Sequence, residues 1–156
     1  MPRSILKPIA IATLVAGTLD ILAAVGLTLF YGRRTVAEML RGVAAGPFPD
    51  APNWGTAGAA AGLAVHFVLM AAMAAIFMLA ASRWRRLWER PFLSGLLYGL
   101  VTYVAMNLIV VPLRWPAAFP PSPLSVATQL FCHIILVGIP IALIARRHLR
   151  RRSAFA

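Results

Sequence analysis

Four stretches of the chain run apolar for twenty or more residues, and each is broken near its middle by one strongly polar side chain. The runs cover residues 8–30, 57–81, 92–113 and 124–144, each long enough to cross the hydrocarbon of a bilayer as a helix. The interrupting residues are Asp20, His66, Asn107 and His133. Between the first two runs, residues 35–45 set Val36, Met39, Leu40 and Val43 at helical spacing, with Glu38 and Arg41 elsewhere. That pattern predicts a short amphipathic helix lying in the membrane interface. The Pro-rich run Gly46-Pro47-Phe48-Pro49-Asp50-Ala51-Pro52 ends it. The expected fold is all-α: one integral membrane domain over residues 1–156, a four-helix transmembrane bundle with the interfacial helix between spans one and two. A cleaved signal peptide is the rival reading of the first run, because Arg3 and Lys7 precede it. Its apolar stretch continues past Asp20 to Phe30, too long for a signal core.

Composition agrees with lipid as the solvent. Hydrophobic residues make up 61% of the chain and charged ones 12%, against about half and a quarter in soluble domains. The formal net charge of +11 would raise the question of nucleic acid, but the arginines sit between or beyond the apolar runs. No zinc-finger or RNA-binding signature accompanies them, so the charge reads as topology and contact with anionic lipid headgroups, with no nucleic acid as partner. Eleven basic residues flank one side of the runs: Arg3, Lys7, Arg83, Arg85, Arg86, Arg90, Arg146, Arg147, Arg150, Arg151 and Arg152. Four flank the other: Arg33, Arg34, Arg41 and Arg114. The positive-inside rule then sets both termini, the second connection and the basic tail 146–156 in the cytoplasm. Trp54 and Trp115 fall at the outer boundary, and Trp84 and Trp88 at the inner one, where amphipathic rings settle. Cys132 is the single cysteine, which excludes an intramolecular disulfide and a multi-cysteine metal site.

With that topology, helical rise puts Asp20 roughly 1.5 Å, His133 roughly 2 Å, His66 roughly 4.5 Å and Asn107 roughly 7 Å outward of the middle of its own span. One polar group per span in a shared slab predicts that the four face one another inside the bundle, since lipid offers none of them a partner. Each lies on the least lipophilic face of its helix. The stripes are Thr13, Gly17, Asp20, Ala24 and Thr28; Gly58, Gly62, His66, Met70 and Met73; Gly95, Gly99, Tyr103 and Asn107; and Ser125, Gln129, Cys132, His133 and Pro140. The pairs Gly58 with Gly62 and Gly95 with Gly99 are G-x-x-x-G spacings, which permit backbones to approach closely and are expected to set the helix contacts around the polar layer.

Several of these residues form a recognisable set. They are Thr18-Leu19-Asp20, His66-Phe67, Ser94-Gly95-x-x-Tyr98-Gly99-x-x-x-Tyr103-x-x-Met106-Asn107-x-x-Val110-x-Pro112-Leu113, and His133-x-x-x-x-Gly138-x-Pro140-Ile141-Ala142. The set resembles a family of uncharacterised four-span proteins of the bacterial inner membrane, a domain of unknown function. The resemblance implies the fold and that location, and no activity.

Four functional classes follow from the residues. In the first, Asp20, His66, Asn107, His133, Gln129 and Tyr103 form a polar site that binds or conducts a proton, a metal ion or a small polar ligand. A transition metal would take His66, His133 and Asp20 as ligands, and complete transport would call for a homo-oligomer. In the second, His66 and His133 are the axial ligands of one haem, with Arg33 or Arg114 on its propionates. An enzyme is the third, but no G-x-S-x-G or H-E-x-x-H motif supplies a nucleophile or metal. In the fourth, the protein is structural or docks a partner, and the polar side chains are helix glue.

Overall fold

The computed structural model describes residues 5–153, with side chains through residue 150. Arg3 and the end of the expected tail, residues 154–156, lie outside the described residues. Every regular element among the described residues is helical, and four helical segments are long and apolar enough to cross a membrane: Leu6–Tyr31, Ala51–Arg83, Pro91–Arg114 and Pro123–Arg150.

The first span is one helix, α1 (Leu6–Tyr31), closed by Gly32 at φ 60°, whose N–H donates to the Thr28 carbonyl. Only glycine takes that left-handed turn without strain. The predicted amphipathic segment is α2 (Val36–Ala44), opened by a reciprocal cap in which the Thr35 hydroxyl accepts from the Glu38 N–H and the Glu38 carboxylate accepts from the Thr35 N–H. The breaker folds as a 3₁₀ turn, Ala51–Trp54, held by Asp50, whose carboxylate accepts from Asn53 Nδ2 at 2.6 Å and Trp54 Nε1 at 3.1 Å. The second span follows as α3 (Gly55–Arg83).

Beyond it comes α4 (Arg85–Glu89), a single turn between Trp84 and Arg90 that periodicity does not announce because it is five residues long. The third span is α5 (Pro91–Tyr103), a π-helical stretch over Val104–Val110 and a short α6 (Val111–Arg114). A 3₁₀ turn, Pro116–Ala118, leads to the fourth span: α7 (Pro123–Phe131), a second π-helical stretch over Cys132–Gly138 and α8 (Ile139–Ser153). Arg146, Arg147 and Arg150 therefore ride on a helix that continues from the fourth span to Ser153.

The core lies at the end of the bundle that carries Lys7, α4 and the arginines of α8, here the basic face. Ala12, Ala16, Ala74, Ala81, Ala142 and Ala145 are fully buried there, interleaved with Met78, Val137 and Ile141. Small side chains let helices come close enough for dispersion contacts where lipid supplies no hydrophobic drive. Tyr98 meets the Phe77 ring at a 58° tilt and donates its hydroxyl to the Met73 carbonyl at 2.7 Å, tying the third span to the second. Leu14, Leu22, Val68, Ile76, Val101 and Phe131, drawn from all four spans, are exposed on the outside of the bundle, a coat suited to lipid.

Toward the opposite face the spans part. Neither Val104–Val110, α6 nor α7 contains a buried residue, and α2 packs against the second span instead. A methyl added at Gly62 would run into the Leu40 carbonyl, and one at Gly58 into the Ala51 carbonyl and the Arg41 side chain. The helix contact that the Gly58 and Gly62 pair makes is thus with α2 and the turn before α3. Arg114 closes this end by donating Nε to the Ala45 and Gly46 carbonyls at 3.1 and 3.3 Å, where the dipole of α2 leaves partial negative charge.

Candidate functional site

Gly17 and His66 build the first polar contact. A methyl on Gly17 would lie 2.8 Å from the Phe67 ring and 3.3 Å from Met70, so glycine lets α3 lean on α1 at this level. His66, buried at 7% exposure, reaches across with Nε2 2.9 Å from the Gly17 carbonyl oxygen. A carbonyl only accepts, so Nε2 carries the proton. Nδ1 then faces Asp20, 3.9 Å from Oδ2, an ion-pair separation rather than a hydrogen bond. If both groups were deprotonated, a nitrogen lone pair would oppose a carboxylate. A proton on either side removes that repulsion, as imidazolium with carboxylate or as imidazole with carboxylic acid.

The second contact joins the third and fourth spans. A methyl at Gly138 would strike the Gly95 carbonyl, and one at Gly99 would meet the backbone of His133 and Ile134. The two helices therefore touch backbone to backbone through Gly95, Gly99 and Gly138. Just above, the His133 ring is held at both nitrogens: Nδ1 is 3.1 Å from the Thr102 hydroxyl, and Nε2 is 3.2 Å from Asn107 Nδ2. Thr102 donates its own hydrogen to the Gly99 carbonyl at 2.9 Å, so Nδ1–H donates to Thr102 and Nε2 accepts from the Asn107 amide. The network specifies a neutral ring with its proton on Nδ1. Tyr103 is buried and meets the ring edge to face at 6.1 Å.

Both partners of this contact lie in π-helical stretches. The Val111 N–H donates to the Met106 carbonyl, and the Ile139 N–H to Ile134, each five residues back. A stripe of strict fours, Gly95, Gly99, Tyr103 and Asn107, overshoots each α turn by roughly 0.4 residue. A wider turn beyond Tyr103 brings Asn107 back toward the fourth span. That spacing was the one sequence signal for the π-helical stretch.

The four predicted residues are thus brought together in twos, Asp20 with His66 and Asn107 with His133. Cys132, beside His133, is a buried free thiol. Gln129 is half-buried and enters neither pair. Asp20, His66 and His133 do not form a metal site: among the described residues no group of three His, Cys, Asp or Glu side chains is placed to hold an ion. Axial haem ligation meets a related obstacle, since His66 Nε2 and both nitrogens of His133 are turned to protein partners, and Arg114 is occupied by α2. Thr102 and Gly17 were not singled out as polar partners by sequence; a threonine and a backbone carbonyl carry no signal of that kind.

Along α1, one turn beyond Asp20, a mainly apolar crevice of about 470 Å³ opens between Ala23, Gly26 and Leu27 on one side and Ala127, Thr128, Phe131 and Cys132 on the other. It lies where the first and fourth spans diverge. The Asp20 side chain keeps 23% of its surface exposed, against 9% for His66. No family model, curated protein or solved structure matches this chain.

Proposed function

We propose that this is a multi-pass membrane protein that binds and exchanges a proton at the Asp20–His66 pair. One observation carries the reading: the bond from His66 Nε2–H to the Gly17 carbonyl leaves Nδ1 as the only ring position that can gain or lose a proton, and it faces a partly exposed carboxylate. Ionisable groups near the middle of a span are costly unless used or paired, and here a carboxylate faces an imidazole nitrogen at 3.9 Å. Four apolar helices support the multi-pass assignment. The distribution of basic residues supports an orientation with both termini in the cytoplasm, and the resemblance implies a bacterial inner membrane. The outward Glu38 with buried Met39 and Ala44 supports α2 as an interfacial helix.

Proton uptake by the micelle-solubilised protein between pH 5 and 8, read with an indicator dye, tests the proposal. Asp20→Asn and His66→Gln are each expected to remove or displace the same titration step while the thermal melt changes little. His133→Gln is expected to leave that step in place. An unchanged titration in Asp20→Asn would sink the proposal. The helix-glue reading applies to the other pair, where every ring nitrogen of His133 already has a protein partner.

A further inference from the structure

Two arginine-rich stretches that are more than fifty residues apart in sequence share one surface of the fold. Helix α4 packs against α8, and its Leu87 and Trp88 join the core cluster that contains Ala145 and Leu149. This docking brings α4, which carries Arg86 and is flanked by Arg83 and Arg90, against the helix that carries Arg146 and Arg147; of these arginines only Arg146 is partly buried. Glu89 is the only acidic side chain in residues 83–91 and 145–156, and Arg85 holds it at 2.7 Å. Among the described residues Arg83, Arg86, Arg90, Arg146 and Arg147 form no ion pair, so their charge is open to counter-anions from outside. Trp84, 66% exposed, stands at the junction of α3 and α4, where an indole settles at headgroup level.

We infer that the basic face holds one anionic phospholipid bearing two phosphate groups, its headgroup bridging Arg86 of α4 and Arg147 of α8. Two separate guanidinium groups, each able to take a phosphate in bidentate fashion, match two linked phosphates better than one. The adjacent lipid-facing surface of the bundle receives the acyl chains. Nothing in this inference depends on how Asp20 and His66 handle protons.

Native mass spectrometry of the full chain released from detergent, loaded with equal amounts of a two-phosphate four-chain phospholipid, phosphatidylglycerol and phosphatidylcholine, tests it. One two-phosphate lipid per chain is expected to survive, at least about tenfold above either competitor. With about a fivefold loss per arginine near a headgroup, the double variant Arg86→Gln with Arg147→Gln should retain about 25-fold less. The double variant Arg33→Gln with Arg34→Gln, on the opposite face, should retain the lipid unchanged. Arg86→Lys with Arg147→Lys, which keeps charge and fold but loses the bidentate fork, should fall between. Equal retention of phosphatidylglycerol, equal sensitivity to the Arg33 and Arg34 changes, or displacement of the lipid by inorganic pyrophosphate would each overturn the inference.

Discussion

His66 and His133 both sit near the middle of their spans, yet the two seams that hold them are built differently. Between the first and second spans, the close approach at Gly17 is to side chains, Phe67 and Met70, and the histidine has one nitrogen on a carbonyl and one on a carboxylate 3.9 Å away. Between the third and fourth, glycines meet backbone, and the histidine is bonded at both nitrogens to neutral partners. The first arrangement leaves room for a second protonation state. The second has none without turning the Asn107 amide, because a proton on Nε2 would face the amide N–H. The two seams thus differ in how completely each satisfies its histidine.

The largest expected effect breaks the rigid seam. Gly138→Ala puts a methyl against the Gly95 carbonyl and Gly99, atoms that cannot swing away, so it should cost about 1–3 kcal/mol or prevent folding. Gly17→Ala meets only the Phe67 ring and Met70 Cγ, which can yield, and should cost under about 1 kcal/mol. Gly26→Ala, with open space around it, should be neutral. Unfolding of the three variants by SDS in mixed micelles ranks them; equal losses at Gly138 and Gly17 would erase the contrast between the seams.

A smaller effect measures what the closed contact is worth. A double-mutant cycle with Asn107→Ala and His133→Ala should return a coupling of about 0.6 kcal/mol, and no more than about 1.7, the range for hydrogen bonds between membrane helices. The same cycle on Asp20 and His66 should return a coupling that changes with pH. A pH-independent value there, with a pH-dependent one at Asn107 and His133, would reverse the roles assigned to the two pairs.

How much of this was legible in the sequence depends on what each signal encodes. Apolar length encodes a span, and all four spans are present with longer helical ends. Depth along a helix is also encoded, but rotation about the axis is not. Four polar residues in one slab therefore suggested a single site, whereas the structure pairs them across two seams. Gly58 and Gly62 announce that a backbone comes near without saying whose; it is that of α2 and the turn before α3. Thr102 matters only because its hydroxyl donates to Gly99 and so fixes the His133 proton, a relation that needs three dimensions to exist.

The smallest expected effect sharpens the comparison from the side of the second span, where α2 rests on Gly58 and Gly62. The Thr35 backbone N–H, followed by the Thr35 hydroxyl, holds the Glu38 carboxyl below the usual carboxylate range. A carboxyl whose folded value is depressed contributes stability above its unfolded value and loses it as pH falls through the folded one. The first turn of α2 should therefore fray in acid, seen as faster amide exchange from Val36 to Met39 after correction for intrinsic rates, while amides around His133 keep their protection. Glu38→Gln removes the carboxylate but can still accept from Thr35, so its first turn should exchange at a corrected rate that no longer depends on pH. If acid loosened the third and fourth spans as readily as α2, the closed seam would also contain a titrating group, and its description as the inert half of the bundle would fail.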